Sequence, residues 1–247
     1  MFLIDQKLYE IQTTDKKGRG VFAKKTIRPG IVIGDYLGML IDPAIIENEP
    51  DDYHNGLYYA LINNAQAVLP DKESIGVHLI NHSCEANIAF LPYKGHILYV
   101  SLRTIHPGEE LTVNYLIDPE HGEPNFYICH CLAATCKGTW YIHPRKIDRF
   151  EKLFDEAAAG QSDEEKNLPF GRLLPKLASY PDHFEDNDFY DLFGSSSCEA
   201  LKLDDTVLPS RQQLRKHLRE SGSRLKFPAL NIIVCGVTDT LVIAENM

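Results

Sequence analysis

Three cysteines within eight positions, Cys129, Cys131 and Cys136, form a C-x-C-x4-C pattern whose chemistry is the sharpest in this sequence. Thiolates so close along one loop can converge on a tetrahedral ion, and zinc is the ion that such sulfur sets hold. Three sulfurs leave one position to fill. The candidates are Cys84, the nearby His130, His121 and His143, and the distant Cys198 and Cys235, and spacing alone does not choose among them. A second group, Asn81-His82-Ser83-Cys84 with Asn87 after it, sets an imidazole near a thiol and invites a hydrolase reading, with Cys84 as nucleophile and His82 as base. Neighbouring side chains on an extended chain point to opposite sides, which argues against that pair. A third group, Gly108 to Tyr115, is a turn running into a strand that ends in a tyrosine. Gly18-Arg19-Gly20 is a G-x-G loop without the third glycine and following helix of a dinucleotide site.

The chain that must position these groups has 247 residues, 44% of them apolar and 24% charged, which suits one large or two modest packed domains and excludes a disordered chain. Its longest apolar stretch, Ala229 to Val237, is about half of the roughly 20 residues a membrane-crossing helix needs. Asp5, Lys7 and Glu10 interrupt the first apolar residues, so no signal-peptide core is present. These features lead to the expectation of a soluble intracellular protein, cytoplasmic or nuclear, that does not engage membranes. Six cysteines are too few for a disulfide scaffold. The net charge of -10 argues against sequence-independent nucleic-acid binding and suits a basic substrate.

Up to residue 118 the chain consists of short β-branched or alternating runs, such as GRGVFA, LYYALI, HILYVSL and ELTVNYLI, separated by Pro29-Gly30, Asn63-Asn64 and Pro107-Gly108. That half is expected to be mainly β. From Arg145 the pattern turns helical, with Ile147, Phe150, Leu153 and Phe154 on one face and an end at Gly160. Pro169, Pro175 and Pro181 then limit element length. A further helix is expected from Ser210, with Gln213 as capping partner, to about Gly222, and LNIIVCGV and DTLVIAE look like two closing strands. The acidic, aromatic run from Pro181 to Phe193 reads as a solvated linker, and Arg211, Arg215 and Arg219 as a solvated helix face.

Taken in order, GRGVFA, GDYLGML, LYYALI, LINHSCEAN, GEELTVNY and CHCLAATCKG resemble the motifs of the SET-domain protein lysine methyltransferases, the last being similar to a post-SET zinc loop. The resemblance covers roughly residues 10 to 141. It implies a mainly β SET fold of small sheets with a pseudoknot over residues 1–118 and a zinc loop at 119–144; the residue patterns beyond the resemblance read as an α+β accessory region at 145–247, helical with a possible terminal β-hairpin. It also implies that Cys84 completes the metal site with Cys129, Cys131 and Cys136, so that one structural zinc pins the loop to the core.

By the same resemblance the cofactor is S-adenosylmethionine, approached by the backbone around Gly18, Arg19 and Gly20, flanked by Tyr58, and hydrogen-bonded by Asn81 and the backbone of His82. Trp140 would cover the adenine or the lysine channel. The activity implied is methyl transfer to a protein lysine, with a histone tail as the family's usual partner and no sequence-specific nucleic-acid binding. Tyr115 is then the catalytic residue and Tyr36 and Val113 line the substrate channel. Three positions depart from the common pattern. Asn114 replaces an acidic residue, Val113 replaces a Phe or Tyr that limits methyl number, and Met39 stands where a glutamate often does. A silent SET-like module that binds a basic peptide is the alternative, which retention of Tyr115, Asn81 and the four cysteines disfavours.

Overall fold

Short β-branched and aromatic runs broken by Pro and Gly cannot build long elements, and the described residues form brief strands with little helix. The computed structural model describes residues 1–14, 17–44, 60–63, 65–117, 129–133, 136–142 and 144–184. Its strands are β1 (Tyr9–Thr14), β2 (Gly18–Ala23), β3 (Val32–Asp35), β4 (Met39–Ile41), β5 (Ala60–Asn63), β6 (Gln66–Leu69), β7 (Asn81–His82), β8 (Ile88–Tyr93), β9 (His96–Ser101) and β10 (Glu110–Val113). Two helices follow, α1 (Pro144–Ala159) and α2 (Asp163–Lys166). The mainly β first half is as expected. The helix expected from Ser210 and the two closing strands lie outside the described residues.

One sheet runs in the order β1-β2-β10-β8-β9-β3, with β7 pairing β10, and β4-β6-β5 make a second. Register in the first pair sets Tyr9 opposite Ala23 and Thr14 opposite Gly18. β8 returns into β9 through Lys94-Gly95, whose φ angles of 47° and 74° are both left-handed, as a two-residue turn matched to strand twist requires. β9 is buried along its whole length.

By internal contacts the chain forms two compact units. The first holds Met1–Asn81, Asn87–Leu111 and Arg149–Asn187. Its core includes Val21, Ile33, Ile88, Leu98 and Leu111, all fully buried. The apolar face expected for α1 packs there, with the rings of Phe150 and Phe154 edge-on to Phe90 at 6.0 and 6.4 Å. The proline-limited segment after α2 returns in extended form, bridging Leu173 to Met39 and His183 to Ile31. The second unit holds, among the described residues, those of His82–Ala86 and Thr112–Asp148. In it Ile117 pairs in parallel with Tyr141, Ile117 N–H donating to Trp140 O (3.1 Å) and Ile142 N–H to Ile117 O (2.8 Å). No helix among the described residues is long and apolar enough to cross a membrane.

His78 sits in a single 3-10 turn, Val77–Leu79, just before β7. Burial, reinforced by the charges of the amino terminus and Arg19, depresses its imidazole from 6.5 to about 4. As pH falls from 6.5 toward 4 the unfolded chain takes up a proton there that the folded chain refuses, so stability is present above that window and is lost on acidification. Urea melts of the wild type and His78→Gln across this range are expected to show the shallower pH slope in the variant, and parallel slopes would refute the assignment.

Candidate active site and metal centre

The second unit brings four sulfurs together. Sγ of Cys84, Cys129, Cys131 and Cys136 all lie within 4.8 Å of one another, and Cys84 Sγ is 3.7 Å from Cys129 Sγ and 3.9 Å from Cys136 Sγ. Tetrahedral zinc with bonds of about 2.3 Å separates its sulfurs by about 3.8 Å, so the spacing fits that ion. It does not fit a disulfide, and all four thiols are free. Backbone N–H groups surround the sulfurs, from Cys84 to Cys131 Sγ (3.5 Å), Lys137 to Cys84 Sγ (3.3 Å) and Gly138 to Cys136 Sγ (3.4 Å). Such donors favour thiolates. The Cys129 thiol is held far above its ordinary range by Cys131, Cys136 and Cys84 and then by burial, whereas hydrogen bonds from Cys129, Cys136 and Cys84 hold Cys131 far below.

Of the residues open for the fourth position, Cys84 is the one in the group; His130, though adjacent to two of the sulfurs' residues, is not in it. His121, His143, Cys198 and Cys235 lie outside the described residues. The expectation that His82 and Cys84 point apart is corrected: the two are separated by one residue, so an extended stretch sends them to the same side. Cys84 Sγ sits 3.6 Å from His82 Nε2. A hydrolase does not follow, because the same sulfur is surrounded by three others.

Three rings meet beside the sulfurs. The centroids of His82, Tyr115 and Trp140 are 5.2, 5.6 and 5.3 Å apart for the pairs His82–Tyr115, His82–Trp140 and Tyr115–Trp140. Tyr115 N–H donates to His82 Nδ1 (3.2 Å), so that nitrogen carries no proton and the neutral ring holds it on Nε2, toward Cys84. Asn114, the departure from an acidic residue, is 3% exposed, and its Oδ1 accepts Leu116 N–H at 3.3 Å. This is an Asx turn, which fixes the Leu116 N–H just beyond Tyr115; β10 itself ends at Val113, so the tyrosine expected to end the strand lies two residues past it, and Leu116 is left-handed at φ 50°. Val113 is fully buried.

In the first unit, Asn81 is clamped. Its Nδ2 donates to Arg19 O (3.1 Å) and to Glu110 Oε1 (2.9 Å), and Lys17 pairs with the other Glu110 oxygen at 2.5 Å. With the amide nitrogen spent twice, Asn81 Oδ1 remains the acceptor. Gly20 lies under this clamp, where a Cβ would come within 2.9 Å of Glu110 Oε1 and 3.1 Å of Asn81 Nδ2. Beside Gly18 the space is open, with no described atom within 4 Å of a Cβ built there. Tyr36 is buried and stacks on Tyr99 at 6.0 Å. Tyr58 lies outside the described residues. Glu110 was not singled out from sequence, and neither the link from the His82 imidazole to Tyr115 N–H nor the turn made by Asn114 was foreseen. Glu110 was visible within GEELTVNY, but no spacing rule links it to a residue 29 positions away.

A family model for the SET domain matches residues 18–116, from the first glycine of β2 to the residue after Tyr115. The chain carries a SET domain. Among curated proteins, it is 33% identical over 153 residues to histone-lysine N-methyltransferase Set2 of Drosophila melanogaster, covering 58% of this chain and 6% of that protein. It is 30% identical over 131 residues to histone-lysine N-methyltransferase TRX1 of Oryza sativa, covering 49% and 12%. Against histone-lysine N-methyltransferase 2B of Homo sapiens it is 30% identical over 127 residues, covering 49% and 5%. The chain thus spans a small part of the length of these relatives. The SET motifs NHSC and GEELTVNY bring Cys84 and Tyr115 to the four-sulfur and three-ring groups of one unit.

Metal analysis of the purified chain is expected to find one bound ion of zinc, and Cys131→Ser to lower both the metal content and the melting temperature. A folded, metal-free wild type, or a variant that retains its full metal, would remove the assignment.

Proposed function

We propose that this chain is an S-adenosylmethionine-dependent protein lysine N-methyltransferase that acts on histone or other basic protein lysines. The observation that carries the reading is Tyr115 at the end of the SET motif GEELTVNY, half-buried and packed against His82 and Trp140 beside a four-thiol site. The relatives at about 30% identity are histone-lysine N-methyltransferases by name, and the net charge of -10 favours a basic substrate.

The cofactor, when bound, supplies an electrophilic methyl group on a sulfonium. Residues of the chain fit such a ligand in two respects: open space beside Gly18, and an Asn81 amide whose fixed nitrogen leaves Oδ1 to accept from an amine. We assign cofactor contacts to Gly18, Arg19, Gly20, Asn81, His82 and Trp140, and extend them to Tyr58 by the resemblance. A lysine amine, with an ordinary pKa of about 10.4, must lose its proton before it can attack, and an apolar aromatic channel lowers that value by desolvation. Tyr36 and Val113 are assigned to the channel. Tyr115 positions the amine through its hydroxyl, so that orientation supplies most of the rate. No strong base is then needed. The four thiols are assigned a structural zinc, closed and without a catalytic position.

Tyr115→Phe is expected to keep fold and cofactor binding by calorimetry while methyl transfer to a lysine peptide falls about 10²-fold, the loss typical of one preorganised hydrogen-bond donor. Unchanged turnover would remove the role. Mass spectrometry of a histone mixture after reaction reads substrate, site and methyl number together. With Val113 at the position of a larger aromatic, di- or trimethylated products are expected.

A further inference from the structure

Outside the groups already described, the first unit contains a cavity of about 380 Å³, within the range of small-molecule sites. We propose that it binds a small organic carboxylate with an apolar body. Lys94, His96 and Lys176 supply its charged and ionisable lining, while Ile62, Leu168 and Leu177 are among its apolar walls. Among the described residues no Asp or Glu lines it, in a chain whose net charge is -10.

His96 is what makes this a built site. Its side chain is 6% exposed, and Nδ1 lies 2.7 Å from Oδ2 of the fully buried Asp35. A carboxylate on that side assigns the Nδ1 proton, and Asp35 Oδ2 also accepts the Tyr180 hydroxyl at 2.8 Å. The ring is therefore fixed in orientation, and Nε2 is left as its one polar atom without a protein partner among the described residues. With the proton on Nδ1, Nε2 has a partner only where one proton is shared between it and the ligand, and a bound carboxyl group meets it in that way. The remaining wall comes from the extended return segment, held in place where Leu174 N–H donates to Gly38 O at 2.9 Å.

The apolar half of the wall selects within the anions. A dianionic phosphate would lose much of its hydration against leucine and isoleucine side chains with few donors in return, whereas a carboxylate with an alkyl body covers both halves of the lining. Lys94 and Lys176 are exposed residues, able to meet the charged end at the mouth, where Lys94 Nζ also lies 5.3 Å from the Tyr93 ring centroid.

The test titrates the full chain with octanoate and follows the His96 imidazole resonances by NMR, with calorimetry in parallel. Saturable binding of one octanoate per chain is expected, with the His96 signals moving and no comparable response to octylamine or inorganic phosphate. The double variant Lys94→Gln, Lys176→Gln is expected to melt like the wild type and to weaken binding about fivefold, the scale of exposed charge pairs. His96→Gln is expected to abolish binding, and the lysine variant keeps the test sharp if that protein fails to fold. Octylamine or phosphate binding as well as octanoate, a His96 signal that does not move at saturation, or an unchanged affinity in the lysine variant would each overturn the proposal.

Discussion

The position of Tyr115 is tied to the sulfur cluster through one imidazole, because His82 accepts Tyr115 N–H on Nδ1 and turns Nε2 toward Cys84 Sγ. A backbone N–H can only donate, so it dictates the tautomer, and the tautomer in turn presents a donor to sulfur. Protonating Nδ1 would set two donors against each other and loosen the segment after β10 that carries the tyrosine. One interaction thus couples two chemistries that the chain places 31 residues apart between Cys84 and Tyr115. The Asn114 turn completes the arrangement from the other side by fixing Leu116, after which Ile117 joins the backbone of Trp140 and Ile142.

Sulfur crowding explains why such a thin layer of structure can be held. Residues 129–133 and 136–138 carry no regular element; Cys136 N–H donates to Ala133 O and Cys129 N–H to Gly138 O, and Cys129 and Cys136 are buried. Four thiols so close cannot all ionise without a cation: one, Cys131, is driven toward thiolate while Cys129 is driven to keep its proton. A divalent ion removes that conflict, and the free energy of its binding becomes folding free energy for the loop.

Asp35 plays the corresponding part in the first unit. A fully buried carboxylate is costly unless hydrogen-bonded, and it receives His96 and Tyr180 on the same oxygen. Those bonds join β3, β9 and the return segment, which the bridges at Ile31 and Met39 hold along its length. The departure of Met39 from the common glutamate has a visible setting here, since its strand neighbour is Leu173, an exposed apolar residue.

The linear sequence by itself determined the mainly β character of the first half, the helix whose Phe150 and Phe154 face the core, the SET motifs, and three of the four sulfurs. These are local properties: strand and helix periodicities, turn residues and short cysteine spacings act over a few positions. What remained for tertiary structure were contacts between residues far apart in the chain. Spacing could not choose Cys84 as the fourth sulfur from the open candidates, since 45 residues separate it from Cys129. Nor could it find the Glu110 clamp on Asn81, the return segment that delivers Tyr180 to Asp35 across 145 residues, or the imidazole link from Cys84 to Tyr115. Each depends on loop closure offset by burial and hydrogen bonding elsewhere in the molecule, and no local pattern encodes that balance.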